Sequence, residues 1–531
     1  MPDPRPNVLI VMTDEERYPP PYEDDVVTRW RQERLPARHA LRDGGVELHR
    51  HYTAATACLP SRASLFTGQY PSRHGVDQTD GLAKRSTDPA MTWLDPDGVP
   101  TMGDWFRAAG YRTFYKGKWH ISHPDLAAGH GHVGLMANDR HGTVLADGVD
   151  AYRRADRLDR FGFSGWIGRE PHGADPADTG YVRDPLFAAQ VTDLFDDLAD
   201  DDAPWLTVAS FVNPHDIAFT GGAWAMFGFP DVPDHVPPVA EAPSQADGFE
   251  GRPRAQAEFA ARWDAAVYPQ PRDESYRRFY LWLHELVDAA IAQVLAGLEA
   301  SGMADRTLVV FTSDHGDMVG AHGGLVQKWH VAYDEATRVP LVVRGPGIAT
   351  PAGGLSLPTS HVDVLPTLLG LAGVDVEAAA ATVAETHVET HELVGRDLSA
   401  VLRGEAPATD HDQPVYFMTD DSITTGLRQH GLLSGEPYEG VPAPSRVEAV
   451  VATVDDGTGP RPWKLARTFE HLAGPDDDGP PDEWELYDLG TDPEERTNLA
   501  DPAHPVEQRL RGVLDEQREA KRRSPMLRNP G

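Results

Sequence analysis

An α/β fold, with a large, mostly parallel sheet flanked by helices and a smaller C-terminal α+β domain carrying an antiparallel sheet, is what this 531-residue sequence predicts. Three observations carry that expectation. Several short apolar runs read as strands buried on both faces, the pattern of a parallel sheet covered by helices. A long segment between two of them has helical periodicity. After about residue 405 the chain turns to acidic loops and shorter strand candidates.

The strand runs also carry the first functional signal. Residues 8–12 lead into Thr13-Asp14-Glu15, and residues 308–312 into Asp314-His315-Gly316. Residues 206–212 lead into Asn213-Pro214-His215-Asp216, and the run around 113–115 into Lys116-Gly117-Lys118-Trp119-His120. Ligands of open α/β sheets bind beyond the carboxyl ends of strands. Four strand ends bearing acids, histidines and lysines therefore predict one polar site.

Helices fill the intervals. Between 280 and 298, Leu283, Leu286, Val287, Ala290, Ile291, Val294, Leu295 and Leu298 recur at three- and four-residue spacing, which predicts a core-facing helix closed by Ser301-Gly302. Residues 362–371 predict another, stopped by Gly373, with Pro366 in its first turn or at a kink. The connections 76–100, 121–180 and 217–272, rich in Pro, Gly and Asp and poor in periodicity, read as lids or walls of a site. Further on, 446–454 and 463–467 are strand candidates, and 476–478 within GPDDDGPPDE reads as a solvated hairpin tip. The expected organisation is a catalytic domain over 1–405 with a smaller domain, 406–531, packed on it.

Composition narrows the function. The formal charge of −35, from 48 basic and 83 acidic residues, excludes a general polyanion binder, so no nucleic-acid partner is expected. One cysteine allows no intramolecular disulfide. The start, MPDPRPNVLIVMTDEER, lacks the basic and long apolar regions of a secretion signal, and no segment reads as long and apolar enough to span a bilayer. A cytoplasmic protein without a membrane partner is the expectation.

The single cysteine opens CLPSRASLFTG, residues 58–68. Pro60 suits the first turn of a helix, 61–67 continue it, and Gly68 stops it. Cys58 then lies at the positive end of the helix dipole with Arg62 one turn further in, a place that stabilises a reactive group or a bound anion.

This stretch resembles the signature of the type I sulfatases, whose Cys-x-Pro-x-Arg core is converted to formylglycine by a separate enzyme. The likeness continues through PNVLIVMTDE, VPTMGDWFRAAGYRTFYKGKWH, NPHD, TLVVFTSDHGD, QKWHVAYDEATRVPLVV, SHVDVLPTLLGLAGV and WELYDLGTDPEERTNLA. It implies an alkaline-phosphatase-like α/β sandwich that hydrolyses an organic sulfate monoester to an alcohol or phenol and inorganic sulfate. In that chemistry one hydroxyl of the hydrated aldehyde attacks sulfur, and loss of the proton from the other regenerates the carbonyl and expels sulfate.

The resemblance also implies roles. Asp14, Asp314 and His315, with the oxygen of modified Cys58, match the site of one divalent metal, calcium in the first place. His315 stands where many sulfatases have Asn, which makes magnesium or manganese compatible. Glu15 stands where many have a second Asp, and either ligates the ion or points away from it. Arg62 matches the arginine that holds the aldehyde hydrate and the metal-side carboxylates. Lys118 and His120 match a Lys-x-His pair: two residues apart on an extended segment, they face one oxyanion. Lys118 would neutralise sulfate charge, His120 would assist loss of the second hydroxyl's proton, and Trp119 would pack into the core. His215 and Lys328 match the groups bracketing the leaving-group side. His330, His322 and Asp216 read as structural or pocket residues, and 77–80, 172–183 and 224–229 as stretches able to line the pocket. The implied partners are a small-molecule sulfate ester and a formylglycine-generating enzyme. Two rivals stand beside this: a phosphonate monoester or phosphodiester hydrolase using the same site, and a non-catalytic metal-binding protein whose Cys58 stays a thiol.

Overall fold

Strand β1 (Asn7–Asp14) is buried along its whole length, and its side chains divide between two cores. Val8, Ile10 and Met12 point to one face of the sheet, Leu9 and Val11 to the other. A strand covered on both faces has no polar position to spare, which explains the unbroken apolar run. This computed structural model describes residues 5–123, 126–128, 131–199, 201–349, 353–470 and 480–523, so the expected hairpin tip at 476–478 lies outside it.

The other strands of the first part are β2 (Gly45–Tyr52), β3 (Arg112–Gly117), a small antiparallel hairpin of β4 (Leu126–Ala128) and β5 (Gly131–Val133), β6 (Trp205–Pro214), β7 (Thr307–Ser313), β8 (Leu341–Arg344) and β9 (Leu355–Ser360). Apart from the hairpin they form one seven-stranded sheet in the order β3-β6-β1-β7-β8-β2-β9. All of its pairings are parallel except those of β8, which runs against both β7 and β2. In register, Val8 lies between Leu206 and Leu308.

One face is covered by the Gly180–Leu198 and Glu274–Ala300 helices through Phe187, Val191, Phe195, Val287, Ile291 and Val294. The other face meets the Cys58–Thr67, Met102–Ala108 and His361–Leu371 helices. Full burial of each such aliphatic side chain contributes about 1.5–3 kcal/mol. Trp119 packs on this second face against Phe66, Tyr115, Phe161 and Phe163, as expected.

Several sequence expectations change. Pro366 lies inside the His361–Leu371 helix, beyond its first turn. The stretches 121–180 and 217–272 are not bare walls, since they carry helices at Ala146–Ala155 and Arg254–Ala266. In the latter, Ala255, Phe259, Trp263 and Ala266 mark a buried stripe diluted by alanines and charges. Contrary to the expectation that no segment is long and apolar enough to cross a membrane, Glu274–Ala300 is so by length and composition. Here it serves as a core helix: Leu283, Val287, Ile291 and Val294 are fully buried. Its Asp288 accepts the backbone N–H groups of Ala37 and Arg38, at 2.9 and 3.1 Å.

A second, antiparallel sheet follows: β10 (Val415–Thr419), β11 (Arg446–Asp455), β12 (Pro460–Phe469) and β13 (Glu483–Asp488), in that order. The Pro505–Lys521 helix covers it through Leu510 and Leu514, in one cluster with Val450, Leu465, Leu486 and, from the first part of the chain, Tyr70 and Val362. Lys464 of β12 reaches across to the Ala332 carbonyl (2.8 Å) and the Asp334 carboxylate (2.6 Å), and meets Glu495 at 2.8 Å.

Candidate active site

Because β3, β6, β1 and β7 are adjacent, their carboxyl ends deliver Lys118, His215, Asp14 and the Asp314-His315 pair to one place. Gly117 closes β3 at φ +109°, and a Cβ there would lie 1.7 Å from the Ser210 carbonyl. Only glycine lets the chain press against β6 and carry Lys118 inward. The Cys58–Thr67 helix supplies the rest. Its ten residues are all buried, Pro60 is its third residue, and Gly68 (φ +64°) ends it with an N–H donated to the Ser64 carbonyl at 3.0 Å.

Arg62 organises the centre. Its Nε donates to Asp314 Oδ2 and its Nη2 to Asp14 Oδ2, both at 2.8 Å. Nη1 donates to the Lys118 carbonyl (2.7 Å) and Ser210 Oγ (2.9 Å). Lys118 Nζ adds a second cation on Asp14 Oδ2, at 2.6 Å. With the outer oxygens engaged, the inner ones face Cys58 and His315. Asp14 Oδ1 is 3.7 Å from Cys58 Sγ and 4.0 Å from His315 Nε2, and Asp314 Oδ1 is 3.7 Å from that nitrogen. His315 Nδ1 donates to the Gly316 carbonyl (2.9 Å), so Nε2 keeps its lone pair, 3.1 Å from Cys58 Sγ.

Electrostatics separates these groups. Burial pushes the Asp14 carboxyl up, but Lys118 and Arg62 more than offset it and hold Asp14 well below the usual carboxylate range. Burial and the neighbouring Asp14 raise Asp314 to about 7. Burial, then Asp14, also push the Cys58 thiol far up, so at neutral pH it is no thiolate nucleophile. Asp14, Cys58, Asp314 and His315 form a cluster able to hold a metal ion. Two carboxylate oxygens and one imidazole nitrogen, fixed by Arg62 and Gly316 from behind, fit a divalent cation.

Glu15 sits to one side. It belongs to a second group, with Asp14 and His215, that is also able to hold a metal ion, and its Oε1 is 3.0 Å from Lys328 Nζ. Burial pushes its carboxyl well above the usual range, against the pull of Lys328. His215 is half-buried, and burial followed by Lys118 depresses its imidazole well below the usual range.

His120 is aimed by a turn rather than by strand alternation. Both residues lie beyond the end of β3, and His120 has φ +52°, so the two-residue alternation of a strand does not apply. Its Nε2 is 3.1 Å from Asp80 Oδ1, and its ring stands 4.2 Å from that of His172. Asp80, His172 and Glu170, which accepts the N–H groups of Trp119 (3.1 Å) and His120 (3.0 Å), are site residues that no motif singled out. The only signal was that 77–80 and 172–183 read as pocket stretches. A cleft of about 410 Å³ opens here, lined by Asp80, His120, Arg169, Glu170, His172 and Asp175 among others. The residues read as structural or pocket groups make the following contacts. His322 stacks on Tyr333 at 3.7 Å, Asp216 accepts the N–H groups of Gly180 and Tyr181, and His330 Nδ1 lies 2.8 Å from the Ser445 carbonyl.

A buried acid pair clamped by arginine, lysines on either side and a helix N-terminus beneath them define a hydrolase site for a tetrahedral anionic ester. The sulfatase family model matches residues 6–374, and the chain belongs to that family. It is an enzyme, a sulfuric ester hydrolase. It is 28% identical to the uncharacterized sulfatase YidJ of Escherichia coli over 70% of this chain and 68% of that one. It is also 28% identical to the choline-sulfatase of Rhizobium meliloti, over 70% of this chain and 69% of that one. Its fold is similar to that of the phosphonate monoester hydrolase of Silicibacter pomeroyi, with a TM-score of 0.62, 24% identity, and coverage of 97% and 96% of the two chains.

Proposed function

We propose that the enzyme hydrolyses a small organic sulfate monoester through Cys58 matured to formylglycine, with one divalent metal held by Asp14, Asp314, His315 and the oxygen of residue 58. The observation that carries the reading is the convergence of Cys58, Asp14, Asp314 and His315 around Arg62. The metal, when bound, supplies Lewis-acid polarisation of the sulfate oxygens and of the hydrate of residue 58. Calcium is the first choice, with magnesium or manganese compatible with the nitrogen donor.

The chain's own groups do the rest. Arg62 orients both carboxylates and, with Lys118, holds Asp14 ionised. Lys118 and Lys328 neutralise the charge of the ester on two sides. Half-buried His215, near Asp14 and Glu15, protonates the leaving oxygen; an anionic ester beside it opposes the depression of its imidazole. His120 takes the proton of the second hydroxyl when sulfate leaves. Glu15 serves as partner to Lys328, a role supported by their 3.0 Å contact.

Three measurements test this. Peptide mass spectrometry over residues 51–62, on protein made together with a formylglycine-generating enzyme, should find residue 58 as the aldehyde; an intact thiol would favour a non-catalytic metal-binding role. A chelator should abolish turnover, with restoration by the divalent ion. A matched pair of aryl sulfate and aryl phosphonate monoesters should show the higher kcat/KM on sulfate. A preference for the phosphonate would favour the second reading, which the Asp314-His315 pair and the phosphonate hydrolase-like fold support. A cytoplasmic location belongs to the same proposal, and cell fractionation checks it.

A further inference from the structure

We propose that Asp80 is the positioning residue for His120, fixing the tautomer in which Nε2 carries the proton and Nδ1 is the ring's acceptor; the inference rests on the sulfatase reading above. His120 is fully buried. Its Nε2 lies 3.1 Å from Asp80 Oδ1, while Nδ1 has no hydrogen-bond partner among the described residues. A carboxylate accepts and cannot donate, so the nitrogen facing it bears the hydrogen and the other carries the lone pair.

The neighbours hold this arrangement rigid. Glu170 takes the backbone N–H groups of Trp119 and His120, which pins the left-handed turn that aims the ring. His172 Nε2 lies 3.3 Å from the same oxygen without a hydrogen bond, and the loop is fixed at the chain neighbour Thr79, whose N–H donates to Asp421. Asp80, His120 and His172 are also close enough to share a metal ion. However, a ligating histidine ordinarily donates its second ring N–H to a partner. Neither His120 nor His172 offers a partnered Nδ1 among the described residues, which favours the hydrogen-bonded arrangement.

The consequence concerns the second half of the reaction. The free hydroxyl on the carbon of residue 58 gives its proton to His120 Nδ1, and the electron pair of that O–H bond re-forms the C=O bond. The C–O bond to the sulfate group breaks, and sulfate departs as a dianion with the electrons of that bond. The transient imidazolium is stabilised by Asp80, and its proton then passes to water.

The test uses matured, metal-loaded enzyme carrying Asp80→Asn, with an aryl sulfate. An amide can present its NH₂ to Nε2 and so admit the wrong tautomer. The expected result is a fall in kcat of about a hundredfold or more, with kcat/KM changed only a few-fold, because kcat/KM counts steps up to the first S–O cleavage. Peptides quenched during turnover should show residue 58 carrying an added SO₃ group. Equal falls in kcat and kcat/KM without that adduct would overturn the proposal. A second measurement does not depend on the variant folding: ¹⁵N-histidine spectra of the parent, with His120 assigned by its loss in His120→Gln. A protonated Nε2 and an unprotonated Nδ1 support the proposal. A protonated Nδ1, or a ring shifted by an ion bound across Asp80, His120 and His172, overturns it. A parent enzyme that cleaves no sulfate ester while showing the expected tautomer would sink the sulfatase reading and leave the tautomer assignment standing.

Discussion

Arg62 is the residue on which the site turns, because one planar guanidinium meets four partners: two carboxylates, a carbonyl and a hydroxyl. A lysine presents a point charge and cannot span Asp14 and Asp314 together. Arg62→Lys should therefore leave one of two buried acids incompletely paired. The expected cost is about 3 kcal/mol of stability, read by urea denaturation, with sulfatase turnover falling at least about a hundredfold. A variant as stable and active as the parent would contradict the assignment. At this scale much was legible from the chain: the motif placed Cys58 at a helix start, and the strand ends named Asp14, His215 and Asp314. Asp80 and His172 were legible only as members of pocket-lining stretches, not as partners of His120, because a lone Asp or His in a loop carries no periodic or motif signal. They meet His120 only through long-range folding, Asp80 from 40 positions away.

At the level of elements, the Cys58–Thr67 helix depends on its stop. Gly68→Ala would force a side chain into φ +64°, with its Cβ 3.1 Å from a Leu393 methyl and 3.3 Å from one of Leu365. The expected loss is about 1–2 kcal/mol, again read by urea. A second element-level clamp joins the end of β1 to the Pro36–Asp43 helix: Glu16 pairs with Arg38 at 2.5 Å, and Arg38 also meets Asp288 at 2.9 Å. Burial pushes the Glu16 carboxyl up, but Arg38 and His284 bring it down to about 2 from an ordinary value of 4.5. A depressed acid contributes its stability in full above its unfolded value and loses it as pH falls through the folded one. The clamp should therefore weaken between pH 4.5 and about 2. Glu16→Gln should flatten the acid limb of stability against pH over that window, and an unchanged acid limb would contradict the clamp. Helices with dense apolar stripes, such as Glu274–Ala300, could be read from spacing. Arg254–Ala266 could not, because its buried face rests on two aromatic residues among alanines.

For the whole molecule, the question is what holds the second sheet against the first part of the chain. Lys464 is almost fully buried between Asp334 and Glu495 and donates to the Ala332 carbonyl. Lys464→Met keeps the apolar stem but leaves buried Glu495 without its ammonium partner and half-buried Asp334 with Arg338 alone, which should cost about 3 kcal/mol. Thermal melting should show that loss, and an unchanged melting temperature would mean that the sheets dock through Tyr70, Val362 and the apolar cluster alone.

By itself the sequence determined which strands are buried on both faces, that their carboxyl ends bear the chemistry, and that a cysteine begins a helix with an arginine one turn on. These are local facts, set by side-chain alternation, helical spacing and the conformational freedom of glycine and proline. Only the tertiary structure decided that β3, β6, β1 and β7 lie side by side, that Glu15 meets Lys328, and that Asp80 comes against His120. The reason is physical: strand order and loop meetings depend on burial summed over the whole chain, and no short stretch encodes that sum.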